Sequence, residues 1–206
     1  MSKKLNGSWF GKRAPLNYLS AIFHPIKFFK CLKYPFLKIY NCFDGKFMGY
    51  AYTEDESIPY GWRIAFGKDL LREIKEAGKL TRKRLNKRVS WKSMINFQEI
   101  KEKWGTLCLY ASASDEIMPV LEKYEYLSQF YCIHCGKLVK YVTNGYILYI
   151  CDDCEKKFRG DFSVTELSRK HDIPIITRFN KDNIVRVDVE KEYNIDLKEL
   201  TRYWND

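Results

Sequence analysis

The chain has 206 residues, of which 46% are hydrophobic, 16% aromatic and 30% charged, with seven cysteines and a net charge of +10. This mixture excludes collagen-like, mucin-like and multi-pass membrane proteins, and it is too apolar for a disordered chain. The basic excess admits polyanionic partners such as nucleic acid or an acidic protein surface, without choosing among them.

Charge is distributed unevenly. Residues 1–50 carry nine bases and one acid, 51–100 eleven and seven, 101–150 five of each, and 151–206 eleven and thirteen. A bound polyanion is therefore expected on the first half. Residues 1–57 form a basic, aromatic-rich region, read as short helical pieces broken near Pro25 and Pro35. Twelve aromatics lie between Trp9 and Tyr50, interleaved with lysines. A membrane-surface helix is one reading. A helical subdomain with solvated lysines is the favoured one, because prolines interrupt any long amphipathic face, and a membrane is not the expected partner. The uncharged stretch over residues 14–26 is too short to span a bilayer, and the start lacks the apolar run of a signal peptide. A reducing, cytoplasmic location is expected.

Residues 58–130 read as a central α/β segment. Leu70, Leu71, Ile74 and Ala77 share one helical face, and Gly78 marks where that helix would fray. The run from Lys79 to Lys92 holds seven bases and no acid. Lys79, Arg82, Lys83, Arg84, Lys87, Arg88 and Lys92 are candidate phosphate ligands, and Trp91 is placed to stack on a base. A solvated helix end is the plain alternative. Ile95 and Phe97, a charged bend over residues 101–105, then Leu107, Leu109 and Ala111 predict a β-hairpin. Ile117, Leu121, Tyr124 and Leu127 predict a second helix, with Asp115 as N-cap and Pro119 in the first turn.

Residues 131–158 carry the strongest motif. Cys132 and Cys135 form one C-x₂-C pair, Cys151 and Cys154 another, fifteen residues apart. This spacing is that of a Cys₄ zinc ribbon. The intervening segment predicts two strands joined by a type I′ turn at Asn144-Gly145. Gly136 suits the positive φ with which a knuckle closes. Four thiolates leave no open coordination position, so zinc is expected to be structural. His134 is read as a tuning or solvent-facing neighbour rather than a ligand. Disulfides or simple packing are the alternative for these cysteines. A thioredoxin-like site would need a βαβ setting that is missing.

Three segments, IPYGWRIAFG from Ile58, IKEKWGTL from Ile100 and YEYLS from Tyr124 into the CxxCG knuckle, resemble an uncharacterised bacterial and phage zinc-ribbon protein family. That family's pattern reads IKEKFGGLRFY…CxxCG…CxxC, and the likeness covers residues 58–158. Trp104, Thr106 and Cys108 stand where the pattern has Phe, Gly and Arg. The resemblance implies a metal-binding protein of phage or mobile-element origin, in the host cytoplasm or the virion, and assigns no activity.

Residues 159–206 form a small C-terminal α+β unit. Ser163 to Glu166 reads as a capping box opening a helix over residues 167–171. Paired strands follow over 174–179 and 184–189, and a closing helix over 196–204. A helix-turn-helix lacks its recognition helix here. GWRIAFGKD fails the P-loop spacing, no His has Glu two residues later as a deaminase requires, and Cys108 reads as packing. The sequence thus predicts an α+β, non-enzymatic zinc-ribbon protein, engaging nucleic acid through its basic half. The alternatives are a protein-interaction module of phage origin (inhibitor, immunity factor or virion component) with purely structural zinc, and an unrecognised enzyme.

Overall fold

The structure, a computed structural model, describes residues 37–39, 51–53, 58–86, 88, 90–158, 160, 163–180 and 183–206. The expected helical pieces before residue 37 lie outside the described residues. Within the basic N-terminal part, β1 (Leu37–Ile39) and β2 (Ala51–Thr53) pair antiparallel. Residues 37–39 are thus strand, not the expected helix, with a partner strand fourteen residues downstream, Lys38 opposite Tyr52, from which to draw hydrogen bonds.

The first long element is helical from α1 (Tyr60–Trp62) through a π-helical stretch (Arg63–Gly67) into α2 (Lys68–Arg84). Leu70, Ile74, Ala77 and Thr81 are buried at helical spacing. The helix does not fray at Gly78, because that residue is a contact point: a Cβ there would lie 3.1 Å from the Trp91 carbonyl oxygen and 3.3 Å from its ring. A 3₁₀ turn (Trp91–Met94) leads into the expected hairpin, β3 (Ile95–Lys103) and β4 (Thr106–Ala113). The bend is tighter than the sequence suggests. Lys103 pairs with Thr106, and only Trp104 (φ 55°) and Gly105 (φ 76°) turn the chain, as in a type I′ turn.

The next helix, α3 (Met118–Leu127), has Ile117 rather than Asp115 at its N-cap position, and Pro119 lies in the first turn, where a missing N–H costs nothing. Its stripe of Ile117, Leu121, Tyr124 and Leu127 is buried. Its polar residues complete the edge of β4. The Leu107 N–H donates to Ser128 Oγ at 2.9 Å, and the Leu109 N–H to the Glu125 carboxylate at 2.6 Å.

The ribbon segment supplies β5 (Tyr141–Thr143), β6 (Tyr149–Ile150) and a short helix, α4 (Asp152–Lys157). The loop between the strands departs from the expected two-residue turn. Gly145 has φ 89° but Asn144 is not left-handed, and β6 begins only at Tyr149. Thr143 closes this longer loop: its hydroxyl bonds the Tyr146 carbonyl at 2.5 Å and accepts from the Leu148 N–H at 2.8 Å.

The expected helix after Ser163 is absent. Its capping-box residues form β7 (Val164–Glu166), which adds to β5 to give a sheet of order β6-β5-β7. Edge pairing with β5 satisfies the backbone groups that a local cap would have addressed, so the long-range partner prevails. The expected C-terminal hairpin forms as β8 (Thr177–Asn180) and β9 (Asn183–Arg186), shorter than the sequence suggests: residues 174–176 and 187–188 lie outside the strands, Val189 opens a helix, and the expected closing helix spans only Leu197–Leu200. Two short helices follow, α5 (Val189–Tyr193) and α6 (Leu197–Leu200). Asp188 and Asp196 cap them by accepting backbone N–H groups. The molecule is α+β, with small antiparallel sheets and one buried apolar cluster running from Ile58 to Trp204.

Candidate metal centre

The first knuckle is a tight reversal. Cys132 N–H donates to the Lys137 carbonyl (2.7 Å), Gly136 N–H returns to the Cys132 carbonyl (2.8 Å), and Tyr131 and Leu138 bridge across its base. Gly136 has the positive φ (79°) expected of it. The second knuckle begins at Cys151, in the N-cap position of α4, and Cys154 lies one turn into that helix.

Together they bring the Sγ atoms of Cys132, Cys135, Cys151 and Cys154 within 4.8 Å of one another. Cys135 and Cys151, one from each knuckle, stand 3.4 Å apart. Four sulfurs about 2.3 Å from a tetrahedral ion would be separated by about 3.8 Å, so the set fits one metal ion. All four are free thiols, and their spacing far exceeds the roughly 2.05 Å of a disulfide. Backbone N–H groups also point at the sulfurs: Lys137 bonds Cys135, and Cys154 bonds Cys151. Both contacts favour thiolate. Cys135 is drawn down, first by its hydrogen bond with Cys132, and Cys151 is also drawn well down by Cys132 and Cys154. Cys132 is pushed up, first by the neighbouring sulfurs and then by burial. Four thiolates cannot gather here without a cation to offset their charge. A soft, tetrahedral S₄ donor set suits zinc.

His134 is not among the gathered ligands and does not face solvent. Its ring lies 4.8 Å from that of Phe158, and burial lowers its pKa to about 4, so it is neutral near pH 7. Asp152 pairs with Lys156 and receives the Tyr141 hydroxyl at 3.3 Å, and Asp153 pairs with Lys137.

The centre is tied to the rest of the fold by residues the motif does not contain. Gly61 N–H donates to the Ile133 carbonyl at 2.9 Å, and a Cβ on Gly61 would come within 2.1 Å of the Cys132 carbonyl oxygen. A Cβ on Gly136 would meet the Gly61 carbonyl at 2.5 Å and the Ala65 nitrogen at 3.2 Å. The π-helical stretch thus begins where the helix passes the knuckle. Trp62, fully buried, donates its indole N–H to the Tyr131 carbonyl at 2.8 Å. From the other side Trp204 stacks on Phe130 at 5.5 Å and donates to the Val139 carbonyl at 3.1 Å.

The second group of candidates, the basic run, is divided by the structure. Lys79, Arg82 and Lys83 are exposed on α2, and Arg88 is exposed beyond it. Arg84 bonds the Glu116 carboxylate, which also receives the Thr81 hydroxyl at 2.7 Å. Trp91 packs over Gly78 at the edge of the core instead of standing free to stack. Lys87 lies outside the described residues, as does the Lys92 side chain. Upstream bases that the sequence reading passed over, Lys68, Arg72 and Lys75, are exposed on the same helix. Their signal in the sequence is the helical period of the bases themselves, which repeats at three- and four-residue intervals like that of the apolar residues. Among the described residues, no helix is long and apolar enough to cross a membrane. No family model matches the chain, and neither the curated proteins nor the solved structures contain a significant match to it.

Proposed function

We propose that this chain is a non-enzymatic zinc-ribbon protein that binds nucleic acid through basic residues of α2, with zinc in a purely structural role. Four sulfur ligands leave the ion no vacant position for water or substrate, and zinc binding in such modules supplies on the order of 10–16 kcal/mol of apparent folding free energy. The observation that carries the nucleic-acid reading is the exposure of Lys79, Arg82 and Lys83, which make no ion pair among the described residues. Such cations displace counterions from phosphates, so affinity falls steeply with salt. The test is fluorescence anisotropy of the full chain with labelled oligonucleotides at rising salt. Salt-sensitive binding that the triple variant Lys79→Glu/Arg82→Glu/Lys83→Glu abolishes, with zinc content unchanged, is the expected result. Equal binding by the variant, or none at low salt, overturns the reading.

A second reading, a protein-interaction module, is favoured by Trp104. Its side chain is 66% exposed at the hairpin turn, in a left-handed conformation (φ 55°) that non-glycine residues seldom adopt. It expects a protein partner held at high salt and lost on Trp104→Ala.

A further inference from the structure

We infer that the site on α2 is longer than the basic run in the sequence, extending from Lys68 to Lys83, and that its ligand is the phosphate backbone of a double-stranded nucleic acid. This rests on the nucleic-acid reading above and adds to it both the residues and the ligand class. At 100° per residue, Lys68, Arg72, Lys75, Lys79, Arg82 and Lys83 fall within an arc of about 100° and extend about 22 Å along the axis. Their arc points away from the buried side of Leu70, Ile74, Ala77 and Thr81. The acids of the helix stand on one flank of the row. Glu73 there bonds Lys123 and Tyr124 of α3, Glu76 is exposed, and Asp69 pairs with Arg72. That last pair is solvent-exposed on both sides, so exchanging the carboxylate for a phosphate costs little.

Two features select the duplex. The row is mounted on a helix whose buried face packs into the core, so its charges keep a fixed spacing, as do the phosphates of a duplex. Single strands are usually held by aromatic stacking platforms, and the row contains no aromatic side chain. Trp91, the one ring in the basic run, is folded over Gly78. A helix of this width also enters the major groove of B-form DNA. Lysine and arginine heads on phosphates carry no base information, so the binding is sequence-independent.

The test compares the full chain on a labelled duplex of about 20 base pairs with its effect on one separated strand, across a range of salt. The expected result is a duplex affinity about ten-fold or more above that of the single strand, with a log–log salt slope of about −5, near the roughly −0.9 per phosphate expected for six cations. Lys68→Gln/Lys75→Gln should lower the slope's magnitude by about 2, with circular dichroism and zinc content unchanged. Single-strand binding as tight as duplex binding, still abolished by the Lys79/Arg82/Lys83 triple variant, overturns this inference and leaves the nucleic-acid reading intact. A duplex slope unaffected by Lys68→Gln/Lys75→Gln overturns the extended row. Binding of neither probe overturns both readings.

Discussion

Gly61 lies seventy residues before the first knuckle in sequence, yet its main chain touches it. With the Cys132 carbonyl 2.1 Å from where a Cβ would stand, no small adjustment accommodates a methyl group. Gly61→Ala should therefore cost about 3 kcal/mol or more, the severe end of overpacking, read as a fall in thermal midpoint. Gly145→Ala is its counterpart. Nothing lies within 4 Å of a Cβ there, so only the positive φ is penalised, at about 1–2 kcal/mol. Glu116 gives a pH-dependent prediction. Its carboxyl is held down to about 2, first by the Arg84 hydrogen bond and then by Thr81. A carboxyl whose pKa is lower folded than unfolded stabilises the protein above its unfolded value, and that contribution disappears as pH falls through the folded one. The stability difference between the native protein and Glu116→Gln should thus be largest near neutral pH and shrink between about pH 5 and pH 2. Urea unfolding of both zinc-loaded proteins at falling pH, down to the acidity at which the thiolates protonate and release the ion, measures it, and a difference that grows as pH falls would contradict it.

Elements formed where local pattern and long-range packing agreed. The faces of α2 and α3, the β3–β4 hairpin and the β8–β9 hairpin were legible because apolar period and turn residues pointed the same way. Ser163 to Glu166 was misread because a capping box is a local signal, and pairing of β7 with β5 overrides it. Asn144-Gly145 was misread for a related reason. Thr143 folds its hydroxyl back onto the loop, and this contact holds a longer connection than a two-residue turn. Thr143→Val should leave the Leu148 N–H and Tyr146 carbonyl without that partner and cost about 1–3 kcal/mol. Hydrogen exchange at Leu148 should rise with the loss. In the metal centre the four cysteines were legible from spacing alone, while Gly61, Trp62 and Trp204 were not. Their roles depend on which elements dock against the knuckle, and no local sequence pattern encodes that docking.

At the scale of the whole molecule, the metal centre is embedded in the apolar cluster: Cys132 and Cys151 are buried with Trp62, Phe130 and Trp204. The helical face, ribbon and C-terminal helices share that cluster, so losing the ion should reach well beyond residues 131–158. Chelation is expected to abolish cooperative unfolding of the chain, and Trp204→Ala to cost about 3–5 kcal/mol through the emptied space beside Phe130. Charge was legible at this scale as an excess in the first half, but the sequence run spread it over Lys79 to Lys92. Folding separates that run into exposed cations on α2, an arginine bound to Glu116 and a tryptophan at the edge of the core. The centre itself is tested most directly by elemental analysis of fully reduced protein, with the cobalt-substituted protein's spectrum beside it. One zinc per chain, falling when Cys132 or Cys151 is replaced by serine, and a tetrahedral all-sulfur cobalt spectrum are the expected results. Metal well below one equivalent, or iron in place of zinc, would contradict a structural zinc held by these four thiolates.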